Sequence, residues 1–539
     1  VTVDLSALTP GRSWAQMRAA FRWRLSDRLN IGAAICFDRA LAEPDRVVLN
    51  HLRADGRLDG WSYGALDRAS ARLANALAAG GVGRGDRVAV LLPQSPEALI
   101  THLACYRLAA VVVPLFTLFG PEGLAFRLSD SGARAVITDA ANRPKLEGLT
   151  AGLRVLTVGG AADEDFAAAL SAAADRQAVA TTGPDDPAFI SYTSGTTGPP
   201  KGALHGHRVL AGHMPGVTLV HDFPPRPGDA FWTPADWAWM GGLCNVLMPA
   251  LAMGAPVLAH RMEKFDPERA FRLMAEHRIT CAFTPPTALR LMRQVPDPRR
   301  FGLSLRTLGC GGESMGAELL DWGRDQLGLT VNEFYGQTEC NKAICNNAAV
   351  EPVRPGSMGR ATPGFDVAIL NSTGRALPPG ETGEIAMRRG TAAMFLGYWN
   401  RPDKTAEKFH GDWMRTGDEG RMDADGCFFF AARTDDVITS SGYRIGPSEV
   451  EDCLCRHPAV AMAAVVGEPD PVRTEIVVAH VVPRPGVARD PALAEALMAH
   501  VRERLSPHVA PRRVVFVNAL PTTATGKIMR RELRRPQTA

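Results

Sequence analysis

Between Ser62 and Thr138, short continuously apolar segments alternate with helical patterns, and this alternation constrains the fold more than any other feature. Ser62 is placed to cap a helix whose apolar residues Leu66, Ala69, Leu73 and Leu77 recur at helical spacing until Gly80 and Gly81 end it. Arg87 to Leu92 then reads as a strand, residues 96–109 as a helix, Val111 to Pro114 as a strand, residues 121–131 as a helix and Ala135 to Thr138 as a strand. Strands with no polar alternation must be covered on both faces, which predicts a parallel sheet with helices packed on each side.

A chain of 539 residues, 46% hydrophobic and 22% charged, buries sizeable cores and divides into more than one domain. The fold class expected is α/β: a large N-terminal domain, residues 1–434, of two doubly wound α/β subdomains plus a small β subdomain. That β-rich part falls near residues 355–430, where Gly and Pro punctuate strands such as Val367 to Leu370 and Gly383 to Met387. Residues 435–539 read as a mobile α+β C-terminal domain, with strands near 461–466, 475–482 and 513–518 and a helix from Pro491 to Leu505. The boundary falls at Arg433 to Asp436. The Ala-rich stretch 161–182 reads as a helix and a connector.

Residues 191–202, Ser-Tyr-Thr-Ser-Gly-Thr-Thr-Gly-Pro-Pro-Lys-Gly, follow an apolar strand and read as a triphosphate clamp. Gly195 and Gly198 let backbone approach an anion, Thr193, Ser194, Thr196 and Thr197 offer hydroxyls, and Lys201 brings a positive charge. A P-loop needs Gly-Lys followed by Ser or Thr, whereas Lys201 follows Pro200 and precedes Gly202. The loop therefore points to ATP without the Walker geometry.

Further segments belong with it: Phe334 to Glu339 (Phe-Tyr-Gly-Gln-Thr-Glu), Arg415 to Asp418, Arg433 to Asp436 running into Ser441 to Glu451, and Pro521 to Lys527. In order and spacing these resemble the adenylate-forming superfamily from about Leu29 to Leu533, nearly the whole chain. The stretch from Ser440 to Glu451, with Tyr398 and Trp399 ahead of it, looks most like the medium-chain acyl-CoA synthetases. The resemblance implies an ATP-dependent ligase that turns a carboxylic acid into an acyl-adenylate, releasing pyrophosphate, and then transfers the acyl group to coenzyme A.

The resemblance also implies roles. Glu339, with Thr196, corresponds to the Mg²⁺ ligand, Thr338 to a donor toward the α-phosphate or reacting carboxylate, and Lys201 and Lys527 to catalytic lysines. Tyr335 with Gly311, Gly312, Glu313 and Ser314 is expected around the adenine, beside Gly336 and Gln337, and Asp418 with Arg433 at the ribose. Asp435 matches a hinge about which the C-terminal domain rotates between half-reactions; Ser441, Gly442 and Tyr443 then line a pantetheine tunnel, Arg444 contacts phosphate and Arg473 the CoA nucleotide. The acyl pocket is expected from Trp237, Trp239, Met240, Gly241, Gly242, Leu243, Gly336 and Cys340. Acetate-restricted relatives carry tryptophan where Gly336 stands, so glycine implies an open volume and acids of roughly C4 or longer, each buried CH₂ adding about 0.8 kcal/mol. Two departures from the family pattern occur, Thr522 where lysine is usual and Cys340-Asn341 where Thr-Gly is usual.

The net charge of +3 is too small and too dispersed for a nucleic-acid surface, and no apolar run reaches the ~20 residues that cross a bilayer. Without a signal-like N-terminus the expected location is cytoplasmic. The basic segment Lys527 to Arg535 is either a solvated terminus or a docking site for CoA phosphates. The ten cysteines lack zinc-ligand spacing and read as reduced thiols, while His205 and His207 read as surface residues. Partners are a small carboxylic acid and CoA, in a monomer or homodimer, with a lysine acetyltransferase acting on Lys527 as a further expectation. Two alternatives stay open: an aryl- or amino-acid adenylating ligase, with Asp236 as the candidate partner for an ammonium, or a non-catalytic nucleotide-binding protein of the same fold.

Overall fold

The computed structural model describes residues 3–160, 164–193, 199–313, 315–433, 436–440, 443–470, 473–523 and 528–534, with the side chains of Thr439, Tyr443 and Arg444 outside the description. The alternating pattern becomes a sheet of eight strands among these residues. From edge to edge it runs Gly397–Tyr398, Lys201–Gly206, Pro187–Thr193, Val111–Pro114, Arg87–Leu91, Ala133–Asp139, Arg154–Val158 and Glu164–Asp165. Pairing is parallel from Pro187–Thr193 onward. The helices fall where their signals place them: Tyr63–Ala79 begins with the Ser62 hydroxyl accepting from the Ala65 amide, Pro96–Leu108 follows Ser95, and Pro121–Ser131 ends at Gly132, whose φ of 59° suits a residue without Cβ.

Among the described residues, the second α/β half and the β-rich part share one sheet of 14 strands. Parallel strands Val257–Ala259, Phe231–Trp232, Cys281–Phe283, Thr307–Gly311 and Val331–Gln337 form its α/β half. At Thr338 and Glu339 the chain reverses into Cys340–Cys345, and the remaining neighbours, Gly359–Ala361, Cys427–Arg433, Trp413–Met422, Thr382–Arg388 and Val367–Leu370, pair antiparallel. The hairpin Val47–Leu52 and Leu58–Ser62 joins this second sheet at its other edge although it precedes the first sheet in sequence, a crossing with no local signal. From Ile438 on, the strands Ile438–Ser440, Tyr443–Ile445, Val460–Asp470, Thr474–Pro483 and Arg513–Phe516 form their own sheet, with helices Pro447–Cys455 and Pro491–Arg504.

The helix Val209–Val220 is buried at every residue and packs across Thr307–Gly311, Val331–Gln337 and Cys340–Cys345. All ten cysteines are buried and none is disulfide-bonded. His205 and His207 are fully buried, not surface residues. Both lie on or next to a strand covered on both faces: His205 stacks on Phe189 at 4.9 Å and His207 Nδ1 accepts from the Ile31 amide. Burial pushes His205 down to about 3 and His207 to about 4, so both are neutral. Among the described residues, no helix is long and apolar enough to cross a membrane.

Candidate active site

The strands on either side of the expected phosphate-loop segment pair as a β-hairpin. Pro187–Thr193 pairs antiparallel with Lys201–Gly206, Thr193 opposite Lys201, and the Thr193 hydroxyl donates to the Lys201 carbonyl. A strand, not a helix, follows the loop, which separates it structurally from a P-loop. Lys201 Nζ lies 5.0 Å from the centre of the Tyr398 ring, and the Tyr398 hydroxyl donates to Glu339 Oε1. Lys201, Tyr398 and Glu339 thus form one chain of contacts from the phosphate hairpin to the sheet reversal. Burial, and then the charge of Glu339, raise the Tyr398 phenol far above its ordinary value, so it stays a proton donor.

Asp418 sits 5% exposed at the centre of a second cluster. Its Oδ2 accepts from the Tyr335 hydroxyl at 2.6 Å and from Gln337 Nε2 at 2.7 Å, while Arg433 Nη1 lies 3.8 Å from Oδ1. Gln337 Nε2 also donates to the Thr416 carbonyl, and Lys408 Nζ donates to Gln337 Oε1. Strand register explains part of the convergence: Asp418 is opposite Arg433 on paired strands, and Tyr335 and Gln337 share one face of Val331–Gln337 in the same sheet. The Tyr335 phenol is held protonated by burial and by the adjacent Asp418 carboxylate.

Trp239 bounds the other side. Its ring is 5.9 Å from that of Phe283, which is 5.3 Å from Phe334. A Cβ on Gly241 would lie 2.7 Å from both Phe283 and Trp239, and one on Gly312 would lie 3.2 Å from Trp239, so these glycines let the rings close up. Met240–Gly242 continues into a π-helical turn, Leu243–Leu247, whose Asn245 accepts from Asn341 Nδ2 at 3.1 Å. Trp237 is buried in the same core.

Two pocket expectations change. A Cβ on Gly336 would come within 2.5 Å of the Lys342 amide nitrogen and 2.7 Å of Asn341 Cα, so this glycine serves a close approach of two strands rather than leaving a volume open. Cys340 packs with Ala203, Ala343, Phe365, Met387 and Met394, a core separate from the one holding Met240, Phe283 and Phe334. Glu313 is engaged by Thr287, whose hydroxyl lies 2.9 Å from Oε2, and faces Arg290 at 3.7 Å. Asp236 accepts from the Ala238 amide and is pushed up to about 6 by burial, so its carboxylate caps its own turn. Thr338 is half-buried, with its backbone close to the His205 ring. The Arg473 amide donates to Asp470 Oδ1. Ser194, Gly195, Thr196, Thr197, Gly198, Ser314, Asp435, Ser441, Gly442 and Lys527 lie outside the described residues, and Tyr443 and Arg444 are described in backbone only.

Sequence reasoning treated Tyr398 as a marker and missed its bond to Glu339, 59 residues away. It also missed Lys408, and a buried contact between domains in which Asp452 on helix Pro447–Cys455 faces Glu318 and Arg290. Burial, then the Glu318 charge, holds the Asp452 carboxyl well above the usual range.

Both clusters lie in the two large sheets, which a separate C-terminal sheet follows, and this architecture is that of an adenylate-forming ligase. The chain belongs to the AMP-binding enzyme family, whose model matches residues 36–399, with the AMP-binding enzyme C-terminal domain matching residues 449–527. It is 37% identical to the human acyl-coenzyme A synthetase ACSM4, mitochondrial, over 88% of this chain and 84% of that protein. The Brucella canis acyl-CoA synthetase structure is 37% identical, with 97% of each chain covered and a TM-score of 0.75. The anthranilate CoA ligase AuaEII in complex with anthranoyl-AMP is 27% identical at a TM-score of 0.88, covering 95% of this chain and 97% of that one.

Proposed function

We propose that the protein is an AMP-forming acyl-CoA synthetase whose carboxylic-acid substrate lays its chain against the rings of Trp239, Phe283 and Phe334. The observation that carries the reading is the pair of linked networks, Lys201–Tyr398–Glu339 and Tyr335–Asp418–Gln337, at the reversal of the second sheet. A carboxylate is a poor electrophile, so it first attacks the α-phosphorus of ATP; that step gathers negative charge and is served by positioning and neutralisation. Asp418 and Arg433 hold the ribose, Tyr335, Gly312 and Glu313 flank the base, and Thr338 and Lys527 donate toward the phosphate and the reacting carboxylate.

Mg²⁺ suits the donor set, because Glu339 offers a hard oxygen ligand oriented by Tyr398. Glu339 and Thr196 would hold a magnesium ion, which would supply charge neutralisation at the phosphates. The C-terminal domain then rotates about Asp435, bringing Ser441, Gly442 and Tyr443 to the pantetheine arm and Arg444 and Arg473 to the CoA phosphates. Acetylation of Lys527 would remove its charge and switch off the first step. A pyrophosphate-release assay over a panel of straight-chain, branched and aromatic acids, with and without CoA, tests the reading. Release with several acids and CoA-dependent thioester formation are expected; no release with any acid overturns it.

A further inference from the structure

Lys342 is fully buried on the strand Cys340–Cys345, and its Nζ has no hydrogen-bond partner among the described residues. Its φ of 53° is in the left-handed region, a costly backbone state for a residue with a long side chain. Burying an unpaired ammonium is among the least favourable things a fold can do, and the contact of Nζ with the Phe334 ring at 4.4 Å offsets only part of it. Chains keep such groups where a ligand completes them.

The surroundings identify the ligand's position. Phe334 is the last in a row of contacting rings, Trp239, Phe283 and Phe334, on which the ligase reading places the acyl chain. The Lys342 stem lies against Gly216, where a Cβ would come within 2.7 Å of Lys342 Cβ and 3.0 Å of Cδ, so this glycine makes room for the lysine on the helix Val209–Val220. His213 on that helix and His221 just after it each keep a buried Nε2 without a partner among the described residues, and the Lys342 charge helps to depress both. His213 Nδ1 faces the Val209 carbonyl and must donate, so its Nε2 is an acceptor. Lys342 follows Thr338 by four residues around a tight hairpin, which confines its reach to about 13 Å of chain from the reacting carboxylate.

We propose that Lys342 is a specificity-determining residue of the acyl pocket and selects acids that carry a second carboxylate at the far end of a short to medium chain. A buried cation needs a counter-charge, and a distal carboxylate supplies it while the methylenes between pack on Phe283 and Phe334. The inference rests on the ligase reading, which concerns the reacting carboxylate only.

The test is kcat/KM by pyrophosphate release for matched pairs, hexanoate against adipate and octanoate against suberate, with 6-oxohexanoate as a neutral acceptor, in the parent enzyme and in Lys342→Met and Lys342→Gln. The parent is expected to prefer the dicarboxylate at least about 100-fold, since a site built around a polar group rejects the analogue lacking it. Lys342→Met should reverse the preference and raise activity on hexanoate, with Lys342→Gln intermediate. Thermal unfolding of the parent with adipate alone should show a rise that Lys342→Met lacks. Turnover of plain acids with a ratio unmoved by either variant overturns the inference and leaves the ligase reading standing. A preference for the oxo acid over adipate overturns the second charge. No pyrophosphate with any acid overturns both.

Discussion

The cluster around Asp418 and the one around Lys342 both reach the strand Val331–Gln337, through Tyr335 and Gln337 in one and Phe334 in the other, yet they treat buried polar atoms in opposite ways. Asp418 is met by Tyr335, Gln337 and Arg433, with Lys408 and Thr416 bonded behind them. Lys342 meets a ring face and two histidines that themselves lack partners at Nε2 among the described residues. On the proposed reading, a completed network fixes geometry for the part of the ligand that never varies, the nucleotide, and an incomplete one leaves a group that a particular substrate must finish.

The largest effect expected is at Lys527, which the proposed reading makes the donor of the adenylation step. Lys527→Ala should lower adenylation by roughly 10²–10³ while thioester formation from supplied acyl-adenylate survives, because removing one donor to a developing anion costs about that much. Separate assays of the half-reactions decide it, and equal loss in both would contradict the division of labour. Asp418→Ala comes next. It leaves Tyr335, Gln337 and Arg433 without their shared acceptor, and kcat/KM for ATP should fall roughly 100-fold with both matched acids alike. A change in the ratio between acids would break the separation between the two clusters. Tyr398→Phe should weaken Mg²⁺ about 10-fold, measured as the metal concentration for half-maximal rate, since the phenol only orients Glu339.

The sequence made the first cluster legible and the second almost invisible. Tyr335, Gln337, Thr338 and Glu339 are contiguous, and the Arg415 to Asp418 and Arg433 segments are short and ordered, so spacing alone marks them. The α/β alternation was equally local, down to the Ser62 cap and the end of the helix at Ala79. What was not legible depends on long-range pairing: the hairpin at residues 47–62 joining the second sheet, the burial of His205 and His207, and the strand return that fills the space expected beside Gly336. Lys342 is one lysine among the 60 Lys and Arg residues until Gly216, Phe334, His213 and His221 are brought around it by a helix over 100 positions earlier and its sheet.

The smallest effect sharpens the comparison through pH. Burial pulls the Lys342 amine down to about 7, opposed weakly by Cys345, whereas the unfolded chain titrates near 10.4. The folded pKa lies below the unfolded one, so the unfolded state binds more protons between about pH 7 and 10 and stability rises with pH across that window. His213 and His221 are neutral throughout it, and Cys345, raised to about 11, ionises only above it. Lys342→Met should therefore be more stable than the parent near pH 6–7, with the advantage shrinking toward pH 9–10 in urea denaturation. A constant difference would mean that the amine has a partner.

The most direct measurement of the central claim is a single-turnover chase. Enzyme, labelled acid, ATP and Mg²⁺ are mixed without CoA, the bound material is isolated, and CoA is then added. The account predicts an enzyme-bound acyl-adenylate that converts to acyl-CoA on the chase, with the first stage lost in Lys527→Ala. Label recovered only as free acid before the chase, or thioester formed without a prior adenylate, would contradict it.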